Sequence, residues 1–401
     1  MTKLTNLILI LACGLAAAAF SLEKPVRSSR FSTSIAIRQS KNGRNFAEKT
    51  FPFSFALSSE GARSEVVATS TSSSNSGSVL GTIWNENTKL FVYLAVWYLG
   101  NIYYNIYNKE ACIALGKSVS GRSNLHWALS AFQLMVGVLF VVPLWITGLR
   151  KAPEMTAENW KELSPVGVWA ALSHAFSVLA LGAGAVSFGQ IVKAGEPVFA
   201  AATNALLLKD IDHPLVYAAL IPIIGGVGLA SLKELSFTWT ALLAASAANQ
   251  AAAFKNVVSK GVMNKPWAKS LGPQNTYAVV TILALIATLP LVLLFDLKDF
   301  KIVYDMVVKT GKTQDVLKFS ILSGLAFYLY NEASFLALEK LNPVTHSVAN
   351  TFKRVIIIVA SCVVFQTPMT LLGGVGSGVA VLGTLLYSLA KKKYSKKGGG
   401  H

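Results

Sequence analysis

The chain has 401 residues, of which 53% are hydrophobic and 14% charged. A water-soluble domain carries roughly 25% charged residues, so a soluble globular protein is excluded and lipid is the main solvent. The net charge of +17 comes from 36 Lys and Arg against 19 Asp and Glu. Much of the excess lies in the N-terminal region, in loops and in the run Lys391-Lys392-Lys393-Tyr394-Ser395-Lys396-Lys397, which reads as an anchor to anionic headgroups and not as a nucleic-acid surface.

The first 20 residues read as a secretory signal. Lys3 precedes an apolar stretch from Leu7 to Ala19, closed by Ala16-Ala17-Ala18-Ala19-Phe20; the stretch is too short for a spanning helix. Residues 21 to 80 carry Arg27, Arg30, Arg38, Lys41, Arg44, Lys49 and Arg63, many serines and few acids. Such a composition suits a transit peptide and a disordered linker. The two together, with Phe after the alanines, resemble the bipartite leaders of plastids acquired by secondary endosymbiosis.

Apolar runs follow at 84–107, 126–149, 165–186, 188–208, 212–232, 236–259, 275–296, 317–339, 343–364 and 369–390. Each is long enough to cross a bilayer as a helix. The expected fold is an all-α membrane protein of ten transmembrane helices. Sizeable hydrophilic connections are expected only at 150–164 and 296–318. Ser177-Val178-Leu179-Ala180-Leu181 is echoed by Ser334-Phe335-Leu336-Ala337-Leu338. Five spans is an odd number, so a five-helix unit repeated in tandem inserts upside down the second time. The reading is therefore two inverted repeats, at 81–234 and 235–393, followed by a basic tail at 394–401, and such repeats are a transporter signature.

A charge at the centre of a spanning helix costs about 2.5–3.5 kcal/mol on insertion scales and marks function. The candidates are His174, Lys193, Glu196, Lys255, Glu332, Lys353 and Arg354. About ten helical residues precede Lys353-Arg354 in the ninth segment, which puts the pair roughly 15 Å along the axis. An arginine fork and a lysine ammonium together suit a phosphate. Lys193 occupies the corresponding segment of the first half. Buried salt bridges to Glu196 or Glu332 are the structural alternative for these cations. Tyr330 offers a hydroxyl and His174, one turn from Ser177, an imidazole, though both also suit plain packing. Lys255 and Glu196 are candidates for a closing ion pair between the halves. The glycines at 225–228 and 373–378 read as close helix packing.

Cys13, Cys112 and Cys362 form no CxxC and indicate neither a disulfide framework nor a metal site. Gly116-Lys117-Ser118 lacks the upstream glycine of a P-loop. No cofactor, metal or catalytic set is expected, and no nucleic-acid partner.

At these residues the chain resembles the plastid triose-phosphate/phosphate translocators of the drug/metabolite transporter superfamily. The likeness covers about residues 84 to 393. It is carried by Trp97 to Asn101, Asn105 to Lys109, Val186 to Pro197, Tyr328 to Asn331 and, most specifically, Pro343 to Val355. It implies a ten-helix antiporter of inorganic phosphate and a phosphorylated carbon compound in a plastid envelope. It implies that Lys193, Lys353 and Arg354 bind phosphate, and that Tyr330, His174 and Ser177 are further substrate positions. Gly189-Gln190, Val178 and Lys255 depart from the family pattern and bear on the carbon chain and the gate. Lys193-Ala194-Gly195-Glu196-Pro197 leans towards hexose phosphate; the leader and Thr345-His346 favour a C3 compound. The other readings are a phosphoenolpyruvate/phosphate translocator, a nucleotide-sugar transporter of the same fold, a membrane enzyme and a passive anion channel.

Overall fold

Backbone polar groups in a bilayer must be satisfied within the chain, which leaves helices as one of two solutions. The computed structural model follows that rule: among the described residues, 86–116, 125–232, 237–341, 343–367 and 369–394, the regular elements are all helical. The leader at 1–80 and the last residues of the tail lie outside the described residues.

The helices run in the order α1 (Glu86–Ala114), α2 (His126–Ile146), α3 (Ala157–Ala183), α4 (Val186–Lys193), α5 (Glu196–Leu207), α6 (Pro214–Ala218), α7 (Leu220–Leu232) and α8 (Trp239–Met263). They continue with α9 (Pro266–Ser270), α10 (Gly272–Leu291), α11 (Leu297–Lys309), α12 (Thr313–Lys340), α13 (Pro343–Phe365) and α14 (Leu371–Tyr394). Thr156 caps α3 by accepting from the Asn159 N–H, and Thr238 caps α8 by accepting from the Ala241 N–H. The side chain at the start of α2, Leu125, provides no cap; Asp296 does so from a distance, accepting from the Ala128 N–H at 2.7 Å.

Each of the ten predicted segments falls on helix. Seven stretches are long and apolar enough to cross a membrane: His126–Ile146, Ala157–Ala183, Pro214–Leu232, Gly272–Lys309, Thr313–Lys340, Thr345–Phe365 and Leu371–Tyr394. The other three predicted spans are more polar or interrupted. Helix α1 carries Lys89, Asn101, Asn105, Asn108 and Lys109, and α8 is alanine-rich with Lys255 and Lys260. The fourth segment is two helices, α4 and α5, broken at Ala194-Gly195. The connection at 296–318, expected to be hydrophilic loop, is mostly helix: a π-helical turn at Val292–Asp296 leads into α11, which turns Asp299, Val303 and Val307 inward. The basic tail starts as helix, because α14 runs on to Tyr394 and Lys391 reaches Asp212 at 2.9 Å.

Large apolar side chains are exposed on the surface, and amides are buried among the hydrophobic core. Leu139 is 63% exposed and Leu371 87%, whereas Asn101, Asn105, Asn108, Gln133, Gln190 and Asn249 are buried. That distribution fits a bundle in lipid. The amides bond to one another or to backbone: Gln133 donates to Asn108 Oδ1, Gln190 to Asn105 Oδ1 and Asn249 to the Val192 carbonyl.

The helix pairing has a regularity. Helix α1 packs along α12, and α8 along α3; α2 rests on α12, and α10 on α3. Helix α13 meets α1, while α4 and α5 meet α8. The pairs α2 with α10, α4 with α13 and α7 with α14 complete it. Exchanging the first five segments for the last five, in order, turns each of these pairings into another of the set or into itself.

The α7–α14 crossing is made by small residues. A Cβ on Gly226 would overlap the Ala380 backbone, and one on Gly376 would lie 2.5 Å from the Ala230 nitrogen. Gly225, Gly228 and Gly378 face open space, so only part of each glycine cluster serves this contact. Gly376→Val must separate two backbones; we expect a stability loss of about 3 kcal/mol or somewhat less, read as a lower melting temperature in detergent, while Gly225→Val leaves that temperature unchanged.

Candidate functional site

The interruption between α4 and α5 places a cation where helix ends and irregular backbone begins. Helix α4 closes on Lys193, and Glu196 opens α5 with Pro197 behind it. Carbonyls at the break also accept hydrogen bonds from other helices. Asn249 of α8 donates to the Val192 carbonyl at 2.9 Å, and Thr384 of α14 donates to the Ala194 carbonyl at 3.1 Å. Irregular backbone at membrane depth is tolerated where it is buried in protein or lines a cavity.

Helix α13 packs on α4 and brings Lys353 and Arg354, near its midpoint, to this break. Arg354 Nη2 donates to Glu196 Oε2 at 2.7 Å. Lys193 lies within electrostatic reach of Arg354, Glu196 and Lys255, and Lys353 within reach of Arg354, Lys193 and Glu196. Three cations predicted to hold phosphate, one from α4 and two from α13, are therefore neighbours. Arg354 is buried, whereas Lys193, Lys255 and Lys353 keep part of their surface accessible deep in the bundle. Charged side chains within spanning helices face the bundle interior or a water-filled cavity.

Lys353 is held by aromatic faces. Its ammonium stands 5.1 Å from the Trp97 ring and 5.8 Å from the Tyr330 ring, cation–π contacts that leave the N–H donors free. Trp97 is itself stacked on His346 at 4.7 Å, and His346 Nε2 lies 3.4 Å from the Ser334 hydroxyl. Tyr98 ties α1 to α13 by donating to the Ala349 carbonyl at 2.6 Å.

His174 lies beside the cluster, within electrostatic reach of Lys193, with its ring 3.9 Å from that of Phe327. Ser177 is buried on the same helix, but its hydroxyl donates to the Ser173 carbonyl at 2.7 Å. It keeps only acceptor capacity for a ligand. Glu196, expected to form a closing pair with Lys255, is bonded in this structure to Arg354. The arginine reaches the carboxylate directly, whereas Lys255 is its electrostatic neighbour without an ion pair among the described residues. Glu332 is likewise engaged elsewhere: Arg150 grips it with both Nη atoms, at 2.5 and 3.3 Å.

Three residues that support this region are not singled out as site residues along the chain. Trp97 stands out only as part of an aromatic cluster, and Tyr104 as part of an asparagine-rich run. Lys109 is a helix cap, donating to the Leu181 and Gly184 carbonyls at 2.8 Å each. Its position behind α3 has no local signature.

Residues 88–388 match the model of the Triose-phosphate Transporter family. The chain belongs to that family. Similar relatives include the triose phosphate/phosphate translocator of non-green plastids from Brassica oleracea var. botrytis, 34% identical over 76% of this chain and 73% of the relative. Phosphoenolpyruvate/phosphate translocator 3 from Oryza sativa subsp. japonica is 36% identical over 78% and 77%, respectively. Glucose-6-phosphate/phosphate translocator 1 from Arabidopsis thaliana is 32% identical over 76% of both chains. All three are named chloroplastic. Membership makes this chain a membrane transporter of the plastid phosphate translocator kind. Among the described residues no group of His, Cys, Asp or Glu is arranged to hold a metal ion.

Proposed function

We propose that this protein exchanges inorganic phosphate for a phosphorylated C3 compound, triose phosphate or 3-phosphoglycerate, across a plastid envelope membrane. The observation that carries the reading is the convergence of Lys193, Lys353 and Arg354 around Glu196, the one carboxylate that neighbours them among the described residues. Such a site has an excess of positive charge that a phosphate dianion neutralises. The relatives differ in the carbon skeleton their names carry but share the phosphate, which agrees with a grip that reads only that group.

The architecture we infer is ten spans in two inverted five-helix repeats, with the site between them. Its support is the helix pairing that maps onto itself when the halves are exchanged. Transport then proceeds by alternating access. Cations crowded in a low-dielectric bundle repel one another, and a bound phosphate removes that repulsion and permits closure. Phosphate competes with Glu196 for the Arg354 fork, and the released carboxylate is then free to turn to Lys255. Reorientation without an anion is costly, so the transporter exchanges and does not leak. The composition of the leader supports a secondary plastid.

Liposomes loaded with phosphate test this. Triose phosphate or 3-phosphoglycerate outside should drive rapid exchange, with phosphoenolpyruvate and glucose 6-phosphate slower. Preferred uptake of a UDP-sugar, or phosphate efflux with no external partner, would overturn the reading in favour of a nucleotide-sugar transporter or a channel.

A further inference from the structure

Among the described residues, two buried polar groups beside the cation cluster have no hydrogen-bond partner. Tyr104, on α1, is 4% exposed, and its hydroxyl makes no hydrogen bond. His174, on α3, is 5% exposed, and neither ring nitrogen makes one. The two rings lie 6.2 Å apart and share Phe327 as a neighbour, at 5.2 Å from Tyr104 and 3.9 Å from His174. Tyr104 also lies 5.5 Å from Tyr330, the ring that stands 5.8 Å from the Lys353 ammonium. Three unpaired polar atoms thus sit one aromatic ring beyond the phosphate cations.

Buried polar groups in folded proteins are nearly always hydrogen-bonded, and an orphan costs stability that a phenylalanine in the same place would not. Residues that break this rule next to a ligand site are expected to be satisfied by the ligand. We propose that Tyr104 selects the substrate: its hydroxyl, together with the His174 imidazole, holds the oxygen at the non-phosphate end of the carbon compound. This rests on the phosphate-ester antiport reading above.

The chemistry is specific. A phenol hydroxyl donates to a carbonyl or carboxylate oxygen, or accepts from an alcohol, and a neutral imidazole offers one donor and one acceptor. The carbon chain lies along the Tyr330 and Phe327 faces, between Lys353 and Tyr104. Inorganic phosphate has no second oxygen group at that distance and is held by the cations alone. Tyr104 therefore separates the ester from phosphate, because a site built to hydrogen-bond an oxygen discriminates strongly between ligands with and without it.

The test is Tyr104→Phe in the full chain, reconstituted into phosphate-loaded liposomes. The KM for the external ester, relative to that for external phosphate, is expected to rise about tenfold. The melting temperature in detergent without substrate is expected to equal or exceed that of the wild type, since the variant buries no orphan hydroxyl. An unchanged KM ratio overturns the proposal. So does a lower melting temperature with both KM values displaced together, which would make Tyr104 structural. Wild-type protein that fails to exchange phosphate overturns the antiport reading itself, and that control is read first.

Discussion

Lys353→Ala is expected to lower phosphate counter-exchange at least about a hundredfold while leaving a folded, monodisperse protein. The loss follows from the bond type: removing one partner of a buried, charge-assisted contact costs about 2–5 kcal/mol, most of it expressed here as lost binding. The survival of the fold follows from what Lys353 touches. Its contacts are the faces of Trp97 and Tyr330, with no hydrogen bond or ion pair among the described residues, and such contacts contribute about 0.5–2 kcal/mol. Removing the ammonium also relieves repulsion from Arg354 and Lys193, its electrostatic neighbours. The checks are radiolabelled phosphate exchange in liposomes and the elution profile of the purified variant. Undiminished exchange would remove Lys353 from the site.

Arg150→Ala is expected to act on the fold instead. Arg150 lies just beyond α2 and reaches Glu332 on α12, a residue only 7% exposed that takes both guanidinium nitrogens. Deleting the arginine leaves a buried carboxylate unpaired, at a cost of about 3–5 kcal/mol. That corresponds to a melting temperature lower by roughly ten degrees. Adding Glu332→Leu should recover most of the loss, because the uncompensated charge is then gone. A double-mutant cycle of melting temperatures measures this; an Arg150→Ala protein as stable as the wild type would show that the pair contributes nothing. The site cations remain in both variants, so the KM for phosphate should stay near the wild-type value.

Much of this protein is legible along the chain because lipid imposes a simple rule. A spanning helix needs about 20 apolar residues, so the ten segments are read from hydropathy; helix lies at each, and seven stretches are long and apolar enough to cross a membrane. A charge in such a segment is expensive, so Lys193, Lys353 and Arg354 stand out by residue type and position alone. Hydropathy reads less well where a helix is broken or a loop is helical. The fourth segment remains apolar through Ala194-Gly195, so hydropathy does not mark its interruption, where Asn249 and Thr384 from distant helices bond the Val192 and Ala194 carbonyls. The stretch at 296–318 is polar by composition, but α11 buries only one face.

The Lys353-Arg354 pair and the helical segment that carries it were determined by the sequence alone, since each depends on residue type and spacing within one helix. Tertiary structure decided the partners. It paired Glu196 with Arg354, gave Glu332 to Arg150, seated Lys353 on Trp97 and Tyr330, and left the Tyr104 hydroxyl near His174 with no hydrogen-bond partner among the described residues. Pairings between residues 158 or 182 positions apart depend on how helices cross, and helix crossing is set by packing that no local pattern encodes.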